Sequence, residues 1–361
     1  MTVGILTWYK SLNHGAILQA YASQQFLKEN NCDSLLLDYD RNINIMESNY
    51  EKFKRRLSYM NISHLLMKTK QKNWNKEKKI LFEKFINSNM NVGMKYYEYD
   101  NIDKVMIGSD MVFDFYEGYN PFMYGKNVNS KYIFSYAACF GYTTPKSFEK
   151  FEKNEEIISL IKKMNGIGYR DNNTNDILIN NCNINSAIKN IDPVLLYGFE
   201  KEKKIWNNNG WKNKKYILIY SYQSNLNKKN EYKYIQKIAK EKNLELISVG
   251  YYHPWCDKNI NADPKEFVEL FSNAKYVVTD TFHGLVFSII MNKQFSIIVR
   301  NNSFKILDLL NDLNIKFNNN ESIEKKIERM CNNEIDYSII NKQLNKLKEN
   351  SKEYLLNQIK E

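Results

Sequence analysis

The order of apolar and polar stretches along the chain predicts an α/β protein with parallel sheets. An apolar strand at residues 3–7 precedes a polar turn at 11–15, and apolar residues then recur at helical spacing between residues 16 and 28. A second apolar strand follows at residues 35–38. A strand, a helix and a second strand in this order form a βαβ unit, in which the two strands lie parallel.

The same alternation continues through most of the chain. Further strands are predicted at residues 104–108, 132–137, 166–169, 188–192, 216–220, 244–249, 276–279 and 295–299. Helices are predicted at residues 147–164, 229–242, 264–272, 284–291 and 303–310, and the last 40 residues are charged and helical in pattern. Two stretches differ: residues 43–98 are rich in Lys and Asn with long helical patterns and no obvious strand, and residues 198–214 are polar without periodicity.

These patterns predict two domains. A chain of 361 residues is too long for one ordinary core, because single cores stop growing beyond about 250–300 residues. We expect a Rossmann-like N-terminal domain at residues 1–197 with a helical insertion at about residues 43–98. A linker at residues 198–214 would lead to a Rossmann-like C-terminal domain at residues 215–320, followed by C-terminal helices at residues 321–361.

The charge of the chain favours an anionic partner only at particular sites. The net charge is +11, but the lysines are dispersed over predicted polar helix faces, which is typical of a solvated basic surface. The aromatic residues lie in predicted core segments and do not interleave a basic stripe, so we expect no nucleic-acid partner. The basic residues Lys52, Lys54, Arg55 and Arg56 have two interpretations: a solvated face, or a peripheral contact with acidic lipids at the inner membrane surface.

The cysteine pattern is typical of a reducing compartment. Five cysteines are scattered without a CxxC pair, and no apolar run of about 20 residues is present. We therefore expect a cytoplasmic protein. If the basic residues at 52–56 contact acidic lipids, it would also bind peripherally to the inner face of the membrane. No cluster of His, Cys and Asp suggests a metal, and we expect neither a metal nor a cofactor.

Four polar turns follow predicted strands, where ligands bind in open α/β sheets. The sharpest is at residues 279–284, where Thr281, His283 and Gly284 stand between an apolar strand and an apolar helix. His283 near a helix N-terminus is well placed to hold an anion and transfer a proton. The alternative is a histidine that caps the helix and packs.

The second turn contains Asn13, His14 and Gly15. Its side chains and the glycine backbone are candidates to contact a phosphate or sugar hydroxyls, and the alternative is a tight turn with Asn13 as the helix cap. The turn lacks the GxGxxG pattern, so no dinucleotide is indicated.

The third and fourth turns each carry one charged candidate. Ser109 and Asp110 follow Gly108, where Ser and Asp can hydrogen-bond a ligand or cap a helix, and composition alone favours capping. Arg170 ends a predicted strand, where a guanidinium could grip a carboxylate or phosphate, or pair with Asp171 or another acid.

Together these stretches resemble the polysaccharide pyruvyl transferase family. The similarity runs in order from residue 3 to about residue 312 and is concentrated at residues 4–7, 13–22, 107–110, 136–141, 192–196, 263–271 and 280–284. The resemblance implies a GT-B-like fold, with two Rossmann-like domains facing a central cleft that holds the active site. Met111 and Phe113 replace the Gln and Trp that are usual in this family, and Thr281 stands where some members have a second Arg.

The resemblance also implies an activity: transfer of pyruvate from phosphoenolpyruvate onto a sugar, forming a pyruvate ketal. The acceptor would be a glycan or lipid-linked oligosaccharide, the precursor of a bacterial capsule or exopolysaccharide. By resemblance, His283 corresponds to the family's active-site His and Arg170 to an Arg that holds the donor. Because ketal formation needs the methylene of the donor protonated, we expect His283 to be the general acid. Asp110 and His14 remain the candidates for the base.

Two other functions fit the same fold. A GT-B-type glycosyltransferase would use a sugar nucleotide as its donor, and a non-catalytic relative would bind glycans without turnover.

Overall fold

The computed structural model describes residues 2–40, 62–100, 102–116, 118–207, 210–300 and 303–360. The strands are β1 Thr2–Leu6, β2 Asp33–Asp38, β3 Val92–Lys95, β4 Ile102–Ile107, β5 Ser130–Ala138, β6 Gly166–Tyr169, β7 Ile188–Lys189, β8 Tyr216–Tyr220, β9 Glu245–Val249, β10 Lys258–Ile260, β11 Tyr276–Thr279 and β12 Gln294–Ile297. The helices are α1 His14–Glu29, α2 Ile62–Asn89, α3 Pro145–Glu149, α4 Asn154–Lys162, α5 Asn172–Asn180, α6 Pro193–Tyr197, α7 Glu202–Ile205, α8 Lys229–Glu241, α9 Pro264–Asn273, α10 Phe282–Ile290, α11 Phe304–Asp312, α12 Ile323–Asn332 and α13 Tyr337–Lys360, with a 3₁₀ helix at Pro121–Tyr124.

The chain divides into two compact units. Unit 1 comprises Met1–Leu12, Leu27–Lys189 and Asn357–Glu361, and unit 2 comprises Asn13–Phe26 and Asn190–Leu356. The division differs from the predicted domain limits, because most of α1 belongs to unit 2 and the change of unit falls at residue 190 instead of 198.

Unit 1 is built on a seven-stranded sheet in the order β3-β2-β1-β4-β5-β6-β7. Every described pairing in it is parallel. Its central strands are nearly continuous apolar runs, as expected for strands that are covered on both faces, and Val3, Ile5, Val105 and Met106 have no exposed surface. The predicted βαβ opening is confirmed.

Unit 2 is built on a five-stranded parallel sheet in the order β10-β9-β8-β11-β12. This order repeats the arrangement of the first five strands of unit 1. Successive strands are added on one side of β8 up to β10 and on its other side from β11 onwards, so the switch point lies between β8 and β11. In such sheets ligands bind beyond the carboxyl ends of the strands at the switch point. All nine residues of α10 are buried, since the helix is apolar on every side and lies within the unit.

Several local predictions need correction. The stretch at residues 43–98 contains a strand, β3, besides the predicted helix α2, and the part of the predicted insertion at residues 43–61 lies outside the described residues. The predicted helix at 147–164 is two helices, α3 and α4, and the predicted strand at 188–192 ends at Lys189.

The predicted linker at residues 198–214 is partly folded. It contains the short helix α7, whose residue Glu202 is 2% exposed. The Glu202 carboxylate accepts hydrogen bonds from the hydroxyls of Tyr21 (2.9 Å) and Tyr197 (2.8 Å). These contacts attach the segment to α1 and α6 within unit 2, which explains why the sequence pattern misplaced the boundary. Among the helices of the described ranges, none combines the length and the apolar character needed to cross a membrane.

Candidate functional site

In unit 1 the strand order reverses between β1 and β4, and the turn after β4 is shaped by a glycine. No other residue could replace this glycine without backbone strain. Gly108 follows β4 with φ +122°, and a Cβ placed on it would lie 2.2 Å from the carbonyl oxygen of Tyr136. The next residue, Ser109, is fully buried, and its hydroxyl donates to the Ala137 carbonyl (3.2 Å). Ser109 therefore ties the end of β4 to β5, whereas the sequence predicted that it binds substrate.

A buried ion pair follows this turn. One guanidinium nitrogen of Arg170, at the end of β6, lies 3.0 Å from the Asp110 carboxylate and also contacts the Cys139 sulfur at 3.1 Å. The side chains of Arg170 and Asp110 are 4% and 13% exposed. The structure thus joins two predicted site residues that are 60 positions apart in sequence.

The ion pair shows one partner of each residue. The Asp110 carboxylate orients the Arg170 guanidinium. The neighbouring Asp171 carboxylate caps α5 by accepting from the backbone N–H of Thr174 (2.8 Å).

In unit 2, the side chains of the turn between β11 and α10 form hydrogen bonds within the turn itself. The Thr281 hydroxyl caps α10 by accepting from the backbone N–H of Gly284 (2.9 Å), and Thr279 contacts Thr281 at 3.1 Å. A Cβ on Gly284 would lie 2.0 Å from the Thr279 hydroxyl oxygen. Thr281 and Gly284, which were predicted to bind substrate, are therefore used to build the turn.

His283 lies in the first turn of α10 and is 5% exposed. Its Nε2 is buried and has no hydrogen-bond partner within the part of the chain that the structure describes. The Oδ2 atom of the Asp192 carboxylate lies 3.6 Å from Nε2. The side chain of Asp192 has no exposed surface, so the imidazole and the carboxylate form a pair shielded from water.

Gly15 supplies the space for the His283 ring. A Cβ placed on Gly15 would lie 2.1 Å from Nδ1 and 2.2 Å from Cγ of His283. Atoms essentially never approach this closely, so a side chain at position 15 would displace the imidazole. The sequence predicted that the Gly15 backbone contacts a ligand, and in the structure Gly15 packs against the candidate acid.

The other two residues of that turn are structural. The Asn13 side chain caps α1 by accepting from the Gly15 N–H (2.8 Å), as the second interpretation of this turn expects. It also accepts from the Tyr220 hydroxyl (3.4 Å). His14 has no exposed surface, stacks on Phe267 with ring centroids 4.4 Å apart, and its Nε2 lies 2.9 Å from the Ala262 carbonyl oxygen. A substrate could not reach this ring in the described conformation, which argues against His14 as base or ligand.

The sequence interpretation missed two charged residues at the same edge of unit 2. Asp280, directly before Thr281, accepts from the Ser221 hydroxyl (2.9 Å) and the Asn225 amide (2.6 Å), and burial raises the pKa of its carboxyl. Arg300, beyond β12, donates to Glu231 (2.8 Å) and lies 3.8 Å from Asp280. No pattern in the sequence connects these residues.

Asp192 was also missed as a site residue, although its signal was present. The sequence interpretation ended a strand at this position. Asp followed by Pro193 and an apolar run is a helix-start pattern, and Asp192 indeed caps α6 by accepting from the Val194 N–H (3.0 Å). Among the described residues, no group of three or more His, Cys, Asp and Glu is arranged to hold a metal ion.

Comparison with known proteins gives one sequence match and several structural ones. The sequence model described as "Polysaccharide pyruvyl transferase" matches residues 13–302. This range contains His283, Asp192, Arg170 and Asp110. No curated protein matches the chain in sequence.

The structural matches concern distant proteins. The UDP-GlcNAc 2-epimerase from Neisseria meningitidis bound to UDP-GlcNAc has a TM-score of 0.53 and 11% identity, with 99% of this chain and 100% of that chain covered. The S. aureus MnaA–UDP structure has a TM-score of 0.52 and 12% identity, with 100% and 97% covered. A UDP-forming α,α-trehalose-phosphate synthase from Burkholderia xenovorans has a TM-score of 0.50 and 7% identity, with 98% and 95% covered.

At these identities the likeness concerns the fold alone. Together with the two parallel sheets, it confirms the predicted GT-B-like α/β class with two Rossmann-like domains.

Proposed function

Because the chain belongs to the polysaccharide pyruvyl transferase family, we propose that it transfers pyruvate from phosphoenolpyruvate onto a sugar of a cell-surface polysaccharide or its lipid-linked precursor. The observation that carries this proposal is the shielded His283–Asp192 pair at the start of α10, inside the matched region. A buried imidazole beside a carboxylate is suited to proton transfer, and proton transfer is what this reaction requires.

The proposed reaction balances without a cofactor. Protonation of the methylene carbon of phosphoenolpyruvate gives a methyl group and makes C2 electrophilic. Two hydroxyls of one sugar then form bonds to C2, and the bond from C2 to the phosphate oxygen breaks. Of the two hydroxyl protons, one replaces the proton consumed at the methylene and the other leaves with phosphate. The donor itself carries the activated group, so no redox step is needed.

His283 is the proposed general acid. It lies in the first turn of α10, where the helix dipole favours an anion. A donor phosphate or carboxylate attracted to this end of the helix would bring its methylene carbon near the imidazole. Since the ring is 5% exposed, water competes poorly for its proton.

Arg170 is the proposed grip on the donor's anionic groups. A guanidinium presents five N–H donors in a plane that suits a carboxylate or phosphate, and the pairing with Asp110 orients that plane. This proposal does not require the second Arg that some family members have at the position of Thr281.

The donor can be identified by supplying the pure protein with phosphoenolpyruvate or with sugar nucleotides, each with a panel of aryl glycosides and lipid-linked sugars. We expect phosphate release that depends on both phosphoenolpyruvate and one acceptor. Acceptor-dependent release of a nucleotide would instead identify a glycosyltransferase. Binding of glycans without release of either product would indicate a non-catalytic relative.

Substituting Gly15 by alanine should inactivate the enzyme without unfolding it. Alanine favours a helix over glycine by up to about 1 kcal/mol, which offsets part of the roughly 1–3 kcal/mol that overpacking against His283 costs. The new methyl group would displace the His283 ring, and a shift of about 1 Å can lower turnover about 100-fold. Phosphate release and the melting temperature measure the two effects. Unchanged turnover would show that the position of the ring is not critical.

A further inference from the structure

Asp192 is a buried acid beside His283 to which none of the proposed reaction steps assigns a specific task. It is 1% exposed, and it lies at the start of α6, far in sequence from the turn that carries His283. A carboxylate placed this deep costs free energy unless its oxygens have partners. The partners of its two oxygens therefore indicate what it does.

The two carboxylate oxygens of Asp192 face different groups. Oδ1 accepts from the Val194 backbone N–H at 3.0 Å and so caps α6. Oδ2 faces Nε2 of His283 at 3.6 Å. The first contact fixes the carboxylate on the helix, and the second directs its charge at one particular atom of the imidazole. The 3.6 Å separation is longer than a strong hydrogen bond, so the coupling acts mainly through charge.

The imidazole is held from two sides. Gly15 packs against its Nδ1 and Cγ, and Asp192 lies at Nε2. A carboxylate stabilises a proton on the nitrogen that it faces, so the position of Asp192 favours the neutral tautomer in which Nε2 is protonated and Nδ1 is basic.

We infer that Asp192 is a positioning residue, which holds the His283 imidazole in the Nε2–H tautomer so that Nδ1 exchanges protons with the substrate. The inference rests on the proposed function in one respect, because it assumes that His283 transfers a proton. The orientation and tautomer of the ring can be observed without any turnover.

The test uses the Asp192→Asn variant of the full chain. Asparagine is also a good helix cap, and its oxygen can keep the bond from Val194. Its amide nitrogen would then face Nε2 as a donor, which makes Nε2 the acceptor. Long-range ¹⁵N spectra of ¹⁵N-histidine-labelled protein report the tautomer, and the His283 signals are identified from their loss in His283→Gln.

The chain offers a matched control at Asp263→Asn. Asp263 also precedes a proline and caps a helix, α9, by accepting from Lys265 (2.7 Å) and Glu266 (2.9 Å). The two variants therefore lose the same kind of capping carboxylate, but only Asp192 faces a histidine. We expect Asp192→Asn to switch the His283 tautomer ratio by about tenfold or more towards Nδ1–H, and Asp263→Asn to leave it unchanged.

Kinetics complete the test. We expect Asp192→Asn to lower kcat by about 10- to 100-fold with KM for phosphoenolpyruvate within about threefold, because a misplaced proton slows a proton transfer and leaves binding intact. We also expect it to change the pH profile of kcat, which Asp263→Asn should not do. An unchanged His283 tautomer in Asp192→Asn overturns the inference. A switched tautomer in a protein that never consumes phosphoenolpyruvate supports the positioning role and rejects the proposed function.

Discussion

Replacing His283 by glutamine should lower turnover by about 10²- to 10⁴-fold, because a positioned general acid contributes a factor of this size. Glutamine retains polar atoms near the Asp192 carboxylate but cannot deliver a proton near neutral pH. The first turn of α10 is capped by Thr281 and does not depend on the imidazole. The variant should therefore fold, and phosphate release from phosphoenolpyruvate measures the loss.

A second buried histidine provides the control. His253 is fully buried in the same unit, and its Nε2 lies 3.0 Å from the Ser221 carbonyl oxygen. His253→Gln should lower the melting temperature at least as much as His283→Gln, while its turnover stays within a few-fold of the parent. If the two variants lost activity in equal measure, His283 would have no special part in the chemistry.

Replacing Arg170 by lysine should raise KM for phosphoenolpyruvate by about tenfold or more. Lysine keeps a positive charge beside Asp110, so the carboxylate is not left unpaired, but it lacks the planar fork that binds a carboxylate or phosphate at two points. Losing one charge-assisted hydrogen bond costs about 1.5–3 kcal/mol, which corresponds to a factor of about 10–150 in binding. Initial rates over a range of donor concentrations measure the change.

Stability measurements separate donor binding by Arg170 from a purely structural role of this residue. Arg170→Met leaves Asp110 buried without its partner and should destabilise unit 1 by about 3–5 kcal/mol. The double variant Arg170→Met/Asp110→Asn removes both charges and should recover much of that stability without recovering donor affinity. The control for Arg170→Lys is Arg329→Lys, because the Arg329 side chain is 38% exposed. This variant should change neither the stability nor KM for phosphoenolpyruvate. Recovery of donor affinity in the double variant would show that Arg170 only supports the fold.

The sequence pattern predicted the strands of the two sheets well where they are apolar throughout. Tyr216–Tyr220 and Tyr276–Thr279 have the predicted limits, since all their residues are buried and a central parallel strand is recognisable from its composition alone. The edge strands Val92–Lys95 and Lys258–Ile260 contain exposed residues. Their pairing depends on the neighbouring strand, which a local pattern does not contain.

The site was predictable one turn at a time but not as a set of contacts. Strand–turn–helix patterns indicated His283 and Arg170 as candidates. The partners of these residues, Asp192 and Asp110, are 91 and 60 positions away along the chain, and a single sequence carries no signal for such pairs. The same limit applies to His14, whose polar neighbours in sequence gave no sign that its ring is stacked inside unit 2.

The fate of the donor carbon tests the central claim most directly. The protein would be incubated in D₂O with [2-¹³C]phosphoenolpyruvate and each member of the acceptor panel in turn, and the products would be examined by NMR and mass spectrometry. The account predicts that the label becomes a ketal carbon bonded to two oxygens of one sugar, with one deuterium in the adjacent methyl group and one phosphate released per product. Label that remains in phosphoenolpyruvate with every acceptor, or that appears only as free pyruvate, would contradict it.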